Sequence, residues 1–150
     1  MKKFFKNSIV MIGLTFLLPG ILALITKDSF SSYKELVQPK FAPPAFIFPI
    51  AWLILYILMS IAGVIAKNKD EDNIGIYYFQ LILNAIWTPI FFYFKNYLLA
   101  LIDLVVLLIS VIIMIRKYKE YDKRTLYLLI PYLLWLLFAL YLNFFIFIYN

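Results

Sequence analysis

No cysteine and no histidine occur among the 150 residues. The first absence excludes disulfides, thiolate catalysis and iron–sulfur clusters. The second removes imidazole as a general base, a zinc ligand or a proximal haem ligand. Charge is scarce as well, at 15% of residues. No phosphate-binding loop, metal cluster or conventional catalytic constellation is legible in what remains, and no cofactor is required.

What is abundant is apolar. Hydrophobic residues make up 65% of the chain, aromatics 20%, and the mean hydropathy is +0.93. A water-soluble chain of this size cannot hide that much apolar surface, and the apolar runs approach the roughly 20 residues that cross a bilayer. The expectation is an all-α integral membrane bundle, one domain over residues 1–150. Its five transmembrane helices are placed at about 4–26, 44–66, 74–94, 97–115 and 125–149. Continuous rather than alternating apolar character favours helices over a small β-barrel. The first run resembles a signal peptide, but it is long and no small-x-small cleavage site follows, so it is read as a retained helix.

The net charge of +6 raises nucleic acid as a partner, but the positions of the basic residues argue for topology instead. Ten Lys and Arg fall at the N-terminus and in the second and fourth connections, four in the first and third. Cytoplasmic segments carry the excess of Lys and Arg. The N-terminus is therefore expected in the cytoplasm and the loop 27–43 outside. This loop carries Tyr33, Leu36 and Phe41, which suits either interfacial anchoring or a lid over a pocket.

The stretch Gln38–Tyr56, QPKFAPPAFIFPIAWLILY, looks like the mouth of such a pocket. Pro43-Pro44 is expected to start the second helix. Pro49, beyond the first turn, is expected to kink it. At about 1.5 Å rise per residue, Trp52 lies about 12 Å from the outer end of its span, with Asp103 and Asn143 about 9 Å from theirs. Trp87 and Phe91 lie about 10 and 5 Å from the outer end of theirs, and Asn84, Trp135 and Ala139 nearer the midplane. Pro49, Trp52 and Tyr56 share one helical face; Gln80, Asn84, Trp87 and Phe91 form a second stripe; Pro131, Trp135, Ala139 and Asn143 a third. These stripes predict a bundle pocket opening outward, with indole and phenyl walls and Ala139 leaving room. Each polar member has an alternative role. Asn84 and Asn143 suit interhelical hydrogen bonding as well as ligand contact, and Trp52 or Trp87 suits an aromatic belt. Asp103, the only acidic residue inside a span, suits structural pairing as well as function.

The motifs PPAFIFPIAWLILY, QLILNAIWTPIFF and PYLLWLLFALYLN, in this order, resemble the tryptophan-rich sensory protein family, also called the translocator protein or peripheral benzodiazepine receptor family. The resemblance covers essentially the whole chain. It implies a five-helix bundle, often a homodimer, that binds porphyrins such as protoporphyrin IX and isoquinoline carboxamide or benzodiazepine-type ligands. The loop 27–43 would close the pocket. By motif, the lining implied is Tyr33, Trp52, Asn84, Trp87, Phe91, Trp135 and Ala139, to which the stripes above add Pro44, Pro49, Gln80, Asp103, Pro131 and Asn143. With no histidine or cysteine, a tetrapyrrole would be held by packing, hydrogen bonds and charge, apart from weak ligation by Tyr or Met. Receptor or sensor is the first reading. A transporter of such a molecule is an alternative, and so is a weak light-dependent porphyrin-degrading enzyme, with Trp52 and Trp135 as the candidate reactive residues. Two departures stand out. Phe41 replaces a tryptophan common in the family, and Tyr149 is followed only by Asn150, so the sterol signature is missing and cholesterol is not expected as the ligand.

Overall fold

A computed structural model describes residues 1–150, and five of its helical stretches have the length and composition to cross a membrane. They are α1 (Lys2–Ile25), α2 (Ile47–Lys69), the continuous helical span Glu71–Tyr93 that contains α3 (Gly75–Thr88), α4 (Tyr97–Tyr121) and α5 (Lys123–Tyr149). No strand is present. The fold is all-α, and an integral membrane location follows from the five spans.

Helix α1 packs on α2 and α3, α3 on α4, α4 on α5, and α5 on α2, so the helices close into a ring. At the end rich in Lys and Arg the interior is solid, filled by Met11, Met59, Tyr77, Leu81, Met114 and Tyr118. Gly63 permits this closeness. A Cβ there would lie 2.6 Å from both Met11 Cε and Tyr77 Cε2. Polar contacts tie the same end together: Lys3 pairs with Glu71 at 3.1 Å, and the Tyr121 hydroxyl donates to Asp70 at 3.0 Å. Lys117 donates to Asn73 beside them.

Three local expectations are corrected. Helix α2 begins at Ile47, not at Pro44; Pro43-Pro44 lies in the approach, and Ile47 N donates to Pro44 O in a tight turn. Pro49 is thus the third helical residue, where a missing N–H has no intrahelical partner to lose, and it acts as a starter rather than a kink. The basic stretch Arg116–Arg124 is not a loop. Helix α4 runs on to Tyr121 and α5 resumes at Lys123, leaving Asp122 as the hinge. Loss of apolar character marks the edge of the hydrocarbon, not the end of the hydrogen-bond ladder, and Lys, Arg and Glu are good helix formers. The third change is in the loop 27–43, whose first part is a 3₁₀ helix, Lys27–Glu35, at the end of the ring away from the basic one.

Proline shapes the outer end of the third span. Pro89 cannot donate, and its ring crowds the carbonyl of the turn before it. The chain responds with one π-helical turn, Pro89–Tyr93, closed by Phe94 N donating to Pro89 O at 3.0 Å. Lys95 then adopts a positive φ of 51°, and the Asn96 side chain caps α4 by accepting from Leu99 N at 3.0 Å.

Candidate functional site

A cavity of about 370 Å³ lies under the 3₁₀ segment, in the half of the ring away from the basic end. From α2 it receives Phe48, Pro49, Trp52 and Tyr56, residues that recur on one helical face. From α3 it receives Asn84, Trp87 and Thr88, followed by Phe91 and Phe92 of the π turn. Both phenylalanines of the turn line the cavity, as the consecutive pair Trp87 and Thr88 does one turn earlier. Ala139, Leu142, Asn143 and Ile146 come from α5, and Phe30 and Tyr33 form the roof.

The walls are organised as a chain of rings. Trp52 stacks on Tyr56 at 5.4 Å and meets Trp135 edge-on at 6.3 Å. Trp87 stacks on Phe91 at 4.8 Å, and Phe92 meets Phe30 at 4.7 Å. Tyr33 leans edge-on against Phe48 at 5.4 Å. No Asp, Glu, Lys or Arg lines the cavity.

The floor is a hydrogen-bond relay. Tyr56 Oη donates to Asn84 Oδ1 at 2.8 Å, Asn84 Nδ2 donates to Tyr132 Oη at 2.9 Å, and Tyr132 Oη donates to Gln80 Oε1 at 2.8 Å. A second relay lies higher, where Trp87 Nε1 donates to Asn143 Oδ1 at 3.0 Å and Asn143 Nδ2 to Tyr97 O at 2.9 Å. Asn84 and Asn143 therefore tie helices together, the first of their two expected roles, and both also line the cavity. The indole N–H groups of Trp52 and Trp135 make no hydrogen bond within the chain and remain the donors free for an acceptor.

Eight of the thirteen expected residues meet at this cavity: Tyr33, Pro49, Trp52 and Asn84, with Trp87, Phe91, Ala139 and Asn143. Trp135 stands just behind it, in a cleft of about 20 Å³ shared with Trp52, Asn84 and Ala139. Four lie elsewhere. Gln80 is fully buried beneath the floor. Pro131 precedes Ala139 by eight residues, and a strict four-residue repeat drifts about 40° per step around a 3.6-residue helix, so it leaves the wall. Asp103 is buried on α4, which contributes nothing to the cavity, and its Oδ2 has no partner. Pro44 lines an outer hollow on the far side of Tyr33.

The wall from α1 was not foreseen: Phe16, Pro19, Gly20 and Ala23. Its signal was available in the cluster Pro19-Gly20 and Ala23, small or ring-closed residues interrupting an otherwise bulky apolar run. Read as an anchor, that helix had no reason to turn them inward. Phe48 and Phe92 are further unforeseen members, whereas Tyr56 lies on the face its spacing predicted. Tyr33 carries the one titration relevant here, since burial raises its phenol above the usual range and keeps its proton in place.

A family model described as the TspO/MBR family matches residues 9–149. The chain is 39% identical over 118 residues to the Tryptophan-rich protein TspO of Chlorobaculum tepidum, covering 75% of each. It is 38% identical over 122 residues to the Tryptophan-rich protein TspO of Archaeoglobus fulgidus, covering 79% of each. With the Tryptophan-rich sensory protein of Cereibacter sphaeroides it shares 34% identity over 124 residues, 81% of this chain and 77% of that one.

Proposed function

The chain belongs to the TspO/MBR family, and from that premise we propose that it is a membrane receptor for a planar aromatic ligand, a porphyrin such as protoporphyrin IX. The observation that carries the reading is the aromatic cavity of about 370 Å³ with no charged side chain in its walls. That volume falls within the range of about 300–1,000 Å³ for small-molecule sites. Binding energy comes from burial at about 25 cal/mol per Å² of apolar area, with stacking added where rings face Trp52 or Trp87. The free N–H of Trp52 orients an acceptor on the ligand. Isoquinoline carboxamide and benzodiazepine-type molecules, flat rings bearing one carbonyl, suit the same donor.

The test is titration of protoporphyrin IX into detergent-solubilised protein in the dark, followed by quenching of tryptophan fluorescence. Saturable quenching at micromolar ligand is expected, weakened by Trp52→Phe and by Asn84→Ala, which removes the floor. Non-saturable quenching of equal size in every variant would mean that the porphyrin only dissolves in the micelle.

A second reading, light-dependent porphyrin breakdown, is favoured by the Trp52–Trp135 contact at 6.3 Å beside the cavity. It requires product formation in light and oxygen that vanishes in Trp52→Phe and Trp135→Phe while binding persists. We also infer a cytoplasmic N-terminus and an external 3₁₀ segment from the basic residues gathered at one end of the ring. A homodimer is inferred from the family resemblance, to be checked by mass measurement in nanodiscs.

A further inference from the structure

We propose that the outward face of α1 binds an anionic phospholipid, with the phosphate on Lys2 and Lys6 and an acyl chain lying along Gly13.

Helix α1 turns one stripe to the bundle: Asn7, Met11 and Thr15, four residues apart and all buried. On the opposite side, Lys2, Lys6, Ile9 and Gly13 follow at steps of four, three and four, which keep them on one face. At the basic end this face holds an open hollow of about 550 Å³, lined by Lys2, Phe5, Lys6, Ile9 and Val10 among others. Its cations are uncompensated. No Asp or Glu lines the hollow, none lies in the first turn of α1, and neither Lys2 nor Lys6 forms an ion pair. Lys3, next in sequence, is already paired with Glu71 at 3.1 Å. The other walls are apolar, with Phe5 60% and Ile9 69% exposed. A soluble phosphate would leave those side chains uncovered, and a neutral lipid would leave the lysines unmatched. An anionic phospholipid satisfies both. The lysine stems let the ammonium groups reach its headgroup while Phe5 and Ile9 stay in hydrocarbon.

Above the hollow the same face carries a notch. Gly13 is exposed, and no atom lies within 4 Å of the place its Cβ would take. Ile9 and Leu17, one turn to either side, stand 69% and 58% exposed as its rims. Glycine weakens a helix interior. At Gly63 the close approach of Met11 and Tyr77 requires it, but at Gly13 no part of the chain does. A lipid chain seated in the notch gives the glycine a purpose. Lipid tails are as apolar as the side chains they touch, so the notch supplies packing and the lysines supply selectivity.

Native mass spectrometry of detergent-solubilised protein, given equal amounts of phosphatidylglycerol and phosphatidylcholine with the same acyl chains, tests the site. A lysine beside an anionic headgroup contributes about fivefold in affinity. Wild type is therefore expected to retain the anionic lipid at least about fivefold over the neutral one. Lys2→Gln and Lys6→Gln should each cut that preference several-fold, and together bring it close to one. Added salt should shrink it. Lys119→Gln removes the same charge at the same end, outside the hollow, and should leave it unchanged. Gly13→Leu, on a face that packs against nothing in the chain, should lower retention of both lipids and keep their ratio. Equal retention of the two lipids by wild type would overturn the site. So would a loss in Lys119→Gln as large as in Lys6→Gln, which would reduce it to diffuse surface charge. Displacement by inorganic phosphate, but not by chloride at matched ionic strength, would mean an anion site without a lipid and would overturn it too. Retention unchanged in Gly13→Leu would overturn the course of the chain.

Discussion

At the scale of single residues, the molecule depends on a few positions where size is critical. Gly63 is the clearest. Met11 and Tyr77 approach it more closely than any Cβ tolerates, and Tyr77 is itself fully buried with its hydroxyl against Thr15. Gly63→Ala is therefore expected to destabilise the bundle by about 1–3 kcal/mol through overpacking, read as a lower unfolding temperature in detergent. Gly75 has nothing within 4 Å of a Cβ and serves as the control, where alanine should cost little. Asn84 shows how one side chain serves two ends. Sequence spacing placed it on the pocket face, but only the Tyr56 and Tyr132 hydroxyls at 2.8 and 2.9 Å show that its amide is already engaged. Removing it leaves the Tyr56 hydroxyl without an acceptor and takes one of the two bonds at the Tyr132 hydroxyl, so Asn84→Ala should lose about 0.5–2 kcal/mol of stability, measured by the same unfolding assay.

At the scale of elements, the 3₁₀ segment and its continuation cover the cavity and are held down by the end of α5. Val37 N donates to Asn150 Oδ1 at 2.9 Å, and Asn150 Nδ2 donates back to Val37 O at 3.0 Å. This reciprocal pair, similar to two strands exchanging both bonds, ties the roof to the wall. Asn150→Ala is expected to raise amide hydrogen exchange across the roof segment and speed ligand release several-fold, without changing exchange in α4. Uniform exchange in both proteins would show that the pair holds nothing. The α4–α5 hinge gives a pH-dependent prediction. Arg124, bonded to Asp122 through its side chain and backbone N–H, lowers that carboxyl to about 2. A carboxyl whose folded value lies below the unfolded one, about 3.9, stabilises fully above that value and progressively less as pH falls toward about 2. Asp122→Asn should remove this component, so the mutant's unfolding temperature should vary less than wild type's between pH 4 and pH 2. The pair lies at the surface with the Arg124 side chain exposed, and the difference should be small.

At the scale of the whole molecule, the ring is solid at its basic end and hollow at the other. The solid end is packed by Met and Tyr side chains around Gly63, and the hollow end is lined by rings with Ala139 and Gly20 as the small members. The outward face of the ring is apolar throughout, with Ile9, Leu53, Ile102 and Phe144 exposed to what would be lipid. The absence of cysteine makes the orientation directly measurable. Lys40→Cys should react with a membrane-impermeant maleimide in intact cells, and Lys119→Cys only after lysis. The opposite pattern would invert the topology drawn from the basic residues.

Composition and hydropathy by themselves determined the class and the five spans, because the bilayer imposes a length that can be read without knowing any contact. Periodicity likewise placed Trp52, Asn84, Trp87 and Ala139 on converging faces, since period fixes direction within one helix. Tertiary structure decided what lies between faces of different helices. It turned α1 inward so that Phe16 and Gly20 became a wall, and it put Gln80 beneath the floor rather than in it. It also followed Pro89 with a π turn at the edge of the cavity, and left the Tyr33 hydroxyl buried with no partner. None of these is a property of local spacing. Each depends on how far one helix stands from the next, which is settled by packing across the ring.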